Sequence, residues 1–301
     1  MRLHPLALAL LAGLTALVAA RPQDAQIKLE RKIEPGSALR YRFTAAEFVT
    51  VDGDPSASIE LNASGEFTLP LTAGADGALQ GDVTYGPIFG SVKRGGADHA
   101  KIEIFQGPGI QSGGGPKVTV KQGQAEVAVW NELRSTLAAL AAGKTESDVD
   151  AIWEGLSLAG APTAHVGLAV APLPAAAVAK DARWDAEFFA GRATAAETLR
   201  VFYTNVLTSF DESVAKIQQS GKPKLVLEPT AKDAKAPTLK LDADKAYWSA
   251  VVSISRKDGL VEAREGEYFA PLEVVPAGAA KDAKGKKATI KAWMKLERIK
   301  K

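Results

Sequence analysis

The 301-residue sequence contains no cysteine and only three histidines, and these absences exclude several kinds of chemistry. Without cysteine the chain forms neither disulfide bonds nor thiolate metal sites, and it cannot carry the cysteine-linked lipid of bacterial lipoproteins. Its stability must therefore come from a hydrophobic core. His99 and His165 lie in Gly- and Ala-rich contexts without a second histidine at a metal-ligand spacing, so we interpret them as surface residues of loops.

Motifs of catalysis and cofactor binding are also missing. The chain has no Gly-x-Ser-x-Gly elbow to present a nucleophile. The glycine-rich stretch Gly107–Gly115 lacks the Lys-Ser/Thr ending of a phosphate loop and leads into a predicted strand. The acidic pairs Asp52/Asp54 and Asp242/Asp244 lack the glutamate that completes a calcium loop, which favours turns. We therefore expect no catalytic residue, cofactor or metal and predict that the chain is not an enzyme, with a hydrolase as a minor alternative.

One long apolar run is present, at the amino terminus. It begins after Arg2, and Val18 and Ala20 stand at the −3 and −1 positions of a small-residue cleavage site before Arg21. The run is short for a membrane span, which needs about 20 apolar residues. Residues 1–20 are therefore predicted to be a cleaved signal peptide, with an uncleaved anchor as the alternative. A cleaved leader predicts an extracytoplasmic protein, periplasmic or secreted, that retains no membrane span.

Charge is unevenly spread along the chain. Residues 216–301 contain 19 Lys and Arg against 11 Asp and Glu, whereas the chain as a whole has a formal charge of +2. Four of these lysines fall in a repeated pentapeptide, since Ala231–Lys235 and Ala280–Lys284 are both AKDAK, and a near copy, AKDAR, stands earlier at Ala179–Arg183. Such short polar segments flanked by Pro or Gly favour solvated loop tips over a patch for an anionic partner, and we expect no nucleic-acid partner.

Alternation of apolar and polar residues predicts β-strands in both halves of the chain. In the N-terminal half the predicted strands are 26–32, 39–51, 59–71, 79–85 and a hairpin within 117–129, with the first two paired through a Pro35-Gly36 turn. In the C-terminal half they are 184–190, 198–210, 214–218, 245–255, 260–270 and 287–299. The Lys257-Asp258-Gly259 turn marks the clearest hairpin. Lysines on one face of Lys287–Ile299 favour an edge strand.

The middle of the chain has a helical period instead. Three leucines recur at helical spacing, Leu133, Leu137 and Leu140. This segment ends before Gly143, and a second short helix is predicted over Val149–Leu158. A helix pair at 130–160 would pack on the concave side of a sheet.

The order of elements predicts an α+β fold that is mainly β. We expect a strongly curved antiparallel sheet, partly open and barrel-like, with the short helix pair packed on one side. Segments 21–129 and 161–301 would be two β-meanders of one continuous domain. A closed up-and-down barrel and a two-sheet sandwich are the alternatives.

Aromatic residues are concentrated in the C-terminal strands. Several of these aromatics are neighbours in the sequence, and neighbouring side chains in a strand point to opposite faces of the sheet. Some of the aromatics are therefore expected to lie outside a core that covers only one face. The candidate ligand-facing aromatics are Trp184, Phe202, Tyr203, Tyr247, Trp248 and Trp293. Ordinary core packing is the competing interpretation.

These features favour a non-enzymatic binding protein of the cell envelope. Its ligand would be apolar or amphipathic, a small molecule or a lipid, held between the concave face and the helix pair. The alternative is a structural or interaction protein of the envelope that meets a partner protein through edge strands such as Lys287–Ile299 or through the lysine-rich loops.

A resemblance to a known family is carried by four segments: Leu173–Trp184 (LPAAAVAKDARW), the strand at Leu199–Phe210, the short segment Val214–Ile217 and the late Tyr247–Val275 hairpin. Together they resemble an uncharacterised family of exported bacterial proteins, common in planctomycete-like genomes, with a leucine-proline, valine, glycine-aspartate-x-tryptophan core. In this chain Ala179-Lys180-Asp181 stands where the family pattern has its glycine context. The resemblance covers roughly the C-terminal 130 residues and implies an extracytoplasmic β-rich domain, with no catalytic residues to transfer.

Overall fold

A computed structural model describes twelve stretches of the chain. They are residues 25–34, 36–70, 72–73, 79–82, 84–104, 117–121, 124–127, 168–169, 171–192, 197–227, 238–275 and 284–300. The predicted signal peptide at 1–20, its cleavage site and the predicted helix pair at 130–160 lie outside these ranges. Among the described residues, helical backbone is confined to the 3-10 turn Pro55–Ala57 and to Leu168 and Ala169.

Nearly all other regular structure in these ranges is β-strand. The N-terminal strands are β1 (Gln26–Ile27), β2 (Ala38–Val51), β3 (Ile59–Pro70), β4 (Thr72–Ala73), β5 (Leu79–Asp82), β6 (Thr84–Arg94), β7 (Ala97–Ile104), β8 (Lys117–Lys121) and β9 (Gln124–Val127). The C-terminal strands are β10 (Val178–Ala179), β11 (Arg183–Arg192), β12 (Glu197–Phe210), β13 (Val214–Leu227), β14 (Thr238–Leu241), β15 (Tyr247–Ser255), β16 (Val261–Val275) and β17 (Lys286–Arg298).

One antiparallel sheet of 11 strands dominates the fold. Its order is β11-β12-β13-β15-β16-β17-β2-β3-β6-β7, with β14 also paired to β16. The smaller sheets are β4-β5-β8-β9 and the pair β1-β10. The prediction of a mainly β, antiparallel fold is therefore confirmed. Strands from both halves of the sequence share the large sheet because β17 pairs with β2 from Ala288↔Val51 to Arg298↔Tyr41.

Two predictions about strand partners are wrong. The last strand, β17, is not an edge, because it pairs with β16 on one side and β2 on the other. Its exposed lysines, such as Lys291, lie on the solvated face of a central strand, a pattern that alternation alone cannot distinguish from an edge. The first strand, β1, pairs with β10 rather than β2, since residues 28–34 cross to the β15–β16 turn, where the Lys32 amide donates to the Asp258 carbonyl at 2.9 Å.

The large sheet buries one face and curls around it. Along β2 every second residue is buried, from Leu39 to Val51. The rings of Phe188 on β11 and Trp248 on β15 have centroids 5.0 Å apart, although β12 and β13 lie between those strands. Such contact requires the buried face to be concave. Among the described strands no pairing joins β11 to β7, so the sheet is open.

One end of this concave side is covered by two segments of chain. Residues 25–34 and 171–179 come together there through the β1–β10 pair and through Arg31, whose Nη2 donates to the Ala171 carbonyl at 2.5 Å. The indole of Trp184 donates to the Pro172 carbonyl at 3.2 Å. These bonds hold the second segment against the inner wall.

The turn between β15 and β16 supports this covered end, and Gly259 is its most constrained residue. Gly259 has φ +67°, and a Cβ atom there would lie 2.2 Å from the Glu30 carbonyl oxygen. Replacing Gly259 by alanine is expected to lower the free energy of unfolding by about 3 kcal/mol, since the strained φ and the overpacking add. Chemical denaturation monitored by circular dichroism measures this loss.

Gly36→Ala is the matched control. Gly36 has φ +83°, but no atom lies within 4 Å of a Cβ built there. Only the backbone strain applies, so the expected loss is about 1 kcal/mol. Equal losses in the two variants would show that the 25–34 segment does not dock on the turn.

Candidate binding site

The six predicted aromatics divide between the two faces of the large sheet. Tyr203 and Trp248 lie on the concave face and are almost fully buried, and Trp184 is half-buried beside them. Phe202, Tyr247 and Trp293 lie on the outer face, in agreement with the alternation of a strand. The structure therefore places three of the six candidates, Trp184, Tyr203 and Trp248, together on the concave face.

The outer three have partners of their own. The Tyr247 ring stacks on Phe269 with centroids 5.5 Å apart, and the Trp293 indole donates to Glu265 Oε1 at 3.3 Å. The Lys224 ammonium lies 5.1 Å from the centre of the Phe202 ring. None of these contacts reaches the concave face.

On the concave face, polar residues accompany the aromatics. We define the interior polar cluster as Tyr203, Gln219, Trp248, Arg264 and Tyr268, none of which is more than 4 % exposed. Strand register places three of them in one row across the sheet, because Trp248 pairs with Tyr268 on one side and with Gly221 on the other, and Gly221 pairs with Tyr203.

Arg264 is the charged centre of this cluster. It lies on β16 among apolar neighbours, and its Nη1 donates to the Leu168 carbonyl at 2.8 Å. Burial lowers the pKa of Arg264, and interaction with the Tyr203 hydroxyl opposes that shift. Tyr203 lies on β12, and two strands, β13 and β15, lie between β12 and β16, so these groups come together because the sheet is curled. An arginine side chain remains protonated in proteins, so the cluster carries a buried positive charge.

The remaining members extend the cluster along the concave face. Gln219 Nε2 donates to Asn205 Oδ1 at 2.7 Å. Burial raises the pKa of Tyr203, and burial together with the Glu47 carboxylate raises that of Tyr268. Both phenols are therefore neutral hydrogen-bond donors at physiological pH.

Several polar atoms of the cluster have no hydrogen-bond partner within the described structure. They are Arg264 Nε and Nη2, Gln219 Oε1, Trp248 Nε1 and the Tyr268 hydroxyl. A buried polar atom without a partner costs about 1–3 kcal/mol, and such atoms are rare in native proteins. The concave face thus offers four donor atoms and one acceptor in an apolar setting.

Sequence reasoning missed Arg264, Gln219, Tyr268 and Phe188. Arg264 stands in a run rich in glutamate, Glu262 to Glu267, which is typical of a solvated strand face. The signal that identifies it is alternation, since every second residue of β16 from Arg264 to Leu272 is buried. The same rule places Phe188 on the face of Trp184.

A separate pocket lies at the covered end. Its volume is about 260 Å³, and it is lined by Lys28, Leu29, Glu30, Arg31, Leu173, Pro174 and Ala175. Burial lowers the pKa of Arg31 to about 10, but its Nη2 is already bonded to Ala171. None of the lining residues belongs to the interior polar cluster.

In the described ranges no group of three or more His, Asp or Glu side chains could hold a metal ion. Within those stretches no helix has the length and apolar character needed to cross a membrane.

No protein-family model matches the chain, and no curated protein matches it. Lipovitellin is similar over 89 % of this chain at 9 % identity and a TM-score of 0.43, and the chain spans only 26 % of the lipovitellin chain. An outer membrane channel from Pseudomonas putida F1 is similar over 89 % of this chain and 97 % of its own, at 7 % identity and a TM-score of 0.27. Pseudomonas aeruginosa OccK5 is similar over 88 % of this chain and 99 % of its own, at 7 % identity and a TM-score of 0.23. These values are too low to assign the chain to a family, and its resemblance to the exported bacterial proteins stays a prediction.

Proposed function

We propose that this chain is a non-enzymatic binding protein that holds an apolar or amphipathic ligand, a small molecule or a lipid, on the concave face of its curled sheet. The observation that carries the proposal is the set of unpartnered polar atoms in the interior polar cluster, surrounded by apolar side chains. A ligand with an apolar body and a polar end would pack against the apolar lining and satisfy these atoms.

We also propose that the protein works outside the cytoplasm, in the envelope or beyond it. The support is the sequence of residues 1–20, with a charged start, an apolar run and small residues at the cleavage positions. The absence of cysteine is compatible with this location, because an oxidising compartment permits disulfides without requiring them.

Native mass spectrometry of protein purified gently from the envelope fraction of its host tests both proposals. We expect an additional mass that is lost on denaturation, which would identify the class of ligand. We also expect the denatured mass to match residues 21–301. A bare native mass from repeated preparations would contradict ligand binding, and a denatured mass that includes residues 1–20 would contradict leader cleavage.

The outer face supports a second candidate, an interaction protein of the envelope. Phe48 is 39 % and Tyr247 36 % exposed there, and Tyr247 stacks on Phe269. The version of this candidate that used β17 as a free edge is wrong, because both sides of β17 are paired. Envelope crosslinking with wild type and with Phe48→Ser tests an interaction through the outer face, which predicts a crosslinked partner that the substitution removes.

A further inference from the structure

We propose that the interior polar cluster is the head-group site for this ligand and that the head group is a carboxylate held by Arg264. The inference rests on the proposed function and adds the charge and chemical class of the ligand's polar end. It follows from the charge of the interior polar cluster, from the two donors of Arg264 that have no partner at hydrogen-bond distance, and from the number of buried cations.

The charge balance of the cluster calls for an anion. Arg264 is 2 % exposed, and its neighbours in the described structure are the Leu168 carbonyl and the phenols Tyr203 and Tyr41. Within the described ranges no carboxylate forms a salt bridge with it. Burying a charge without a counter-charge is costly, and an anionic ligand group removes that cost.

The buried carboxylate of Glu47 does not fill this role. Glu47 lies on β2 opposite Ala292, which in turn pairs with Tyr268. The Glu47 carboxylate acts on the Tyr268 hydroxyl, whose pKa it raises. Arg264 is paired instead with Leu296, four residues further along β17, and the groups that act on its pKa are tyrosines.

The free donors of Arg264 match a carboxylate in shape. Nη1 donates to the Leu168 carbonyl, whereas Nε and Nη2 have no partner at hydrogen-bond distance in the described structure. The Tyr203 hydroxyl interacts with the guanidinium but is neutral, so it supplies no counter-charge. Nε and Nη2 form one edge of the planar guanidinium, and their N–H bonds point in parallel. Two parallel donors are the arrangement that binds both oxygens of a carboxylate, and such paired, charge-assisted bonds are stronger than neutral ones.

The number of cations favours a singly charged head group. In the described part of the chain, Arg264 is the one Lys or Arg among the buried residues. A carboxylate carries one charge, which this guanidinium neutralises. A phosphate monoester carries nearly two at neutral pH and would leave part of its charge uncompensated in an apolar setting.

Competition binding to the full-length protein, freed of any bound lipid, tests the inference. A neutral apolar fluorophore reports occupancy, so that the probe itself has no charge preference. The competitors are a long-chain saturated fatty acid and the alcohol, methyl ester and phosphate monoester of the same chain length, all below their aggregation concentrations. We expect the fatty acid to bind about 10- to 100-fold more tightly than the alcohol and the ester, a range typical of a charge-assisted bidentate bond. The phosphate should bind less tightly than the fatty acid.

Arg264→Met is the decisive variant, because it keeps much of the side-chain volume and removes the charge. In this variant the acid should lose its advantage and bind no more tightly than the alcohol. Arg264→Lys retains the charge without the paired donors and should keep only part of the preference. If Arg264→Met does not fold, Arg264→Lys and the wild-type series still decide the question.

The alternative outcomes separate the two proposals. If none of the competitors displaces the fluorophore, the proposed function fails and the head-group assignment fails with it. If all displace it equally from wild type, the concave face binds amphiphiles but the carboxylate assignment is wrong, and the unpartnered atoms bind water. If the phosphate binds most tightly, the charge argument is wrong. If the preference for the acid persists unchanged in Arg264→Met, another residue holds the head group.

Discussion

Replacing Trp248 by alanine is expected to lower the free energy of unfolding by about 3–5 kcal/mol, the range for a large aromatic side chain removed from a core. Trp248 is 1 % exposed, and its ring meets Phe188 edge to face at 5.0 Å between centroids. That contact joins β15 to β11 across the concave face, so its loss leaves a cavity there. Urea denaturation followed by far-ultraviolet circular dichroism gives the free energy.

Two other substitutions separate the causes of this loss. Trp293→Ala removes the same side chain from the outer face, where the indole contacts Glu265, and should cost about 1 kcal/mol or less. Trp248→Phe keeps an aromatic ring and removes the unpartnered Nε1 donor, so it should cost less than half as much as Trp248→Ala. If Trp293→Ala were as damaging as Trp248→Ala, the assignment of inner and outer faces would be wrong.

The face of each strand residue could be predicted from sequence because it depends on a local rule. Successive side chains point to opposite sides of a strand, and this rule separates Tyr247 from Trp248 and Phe202 from Tyr203 without further knowledge. The Asp-Gly turn before β16 can be predicted for the same reason, because it depends only on neighbouring residues. Gly259 adopts a positive φ that few other residues tolerate, and the predicted hairpin between β15 and β16 is present.

Strand partners could not be predicted, since they depend on distant parts of the chain. The lysines of β17 are compatible with an edge or with a solvated central face, and only the pairing with β2 decides between them. Residues 26–32 alternate as a strand should, but β1 stops at Ile27 because the chain then crosses to the β15–β16 turn. Hydrophobic pattern specifies which side of a strand is buried but does not specify its neighbour.

In the candidate site, too, some residues could be predicted from their sequence neighbours, whereas others depend on contacts with distant parts of the chain. Tyr203 and Trp248 were predicted because aromatic side chains in strands are informative by themselves. Arg264 was missed because its sequence neighbours Glu262 and Glu265 are typical of a solvated face. Its place in the interior polar cluster depends on interaction with Tyr203 across two intervening strands, which arises only because the sheet is curled.

Strand β13 gives the second large prediction, because Gly221 stands where no side chain fits. The sequence predicts a short strand ending at Gln218, since Gly and Pro normally interrupt strands, yet β13 continues to Leu227. A Cβ atom on Gly221 would lie 2.2 Å from the Phe202 carbonyl oxygen and 2.5 Å from Tyr203 Cβ. The strand can continue through this position because glycine allows the backbones of β12 and β13 to approach closely.

Gly221→Ala is therefore expected to lower the free energy of unfolding by about 3 kcal/mol or more, since the obstacle is largely backbone and cannot rotate away. Gly86→Ala is the matched control on β6, where the added Cβ would meet the Glu66 carbonyl oxygen at an ordinary 3.5 Å. That control should change stability by about 1 kcal/mol or less. Denaturant midpoints of the two variants, measured side by side, test the difference. Wild-type stability in Gly221→Ala would mean that β12 and β13 do not approach closely there, and the row that links Tyr203 to Trp248 would then be incorrect.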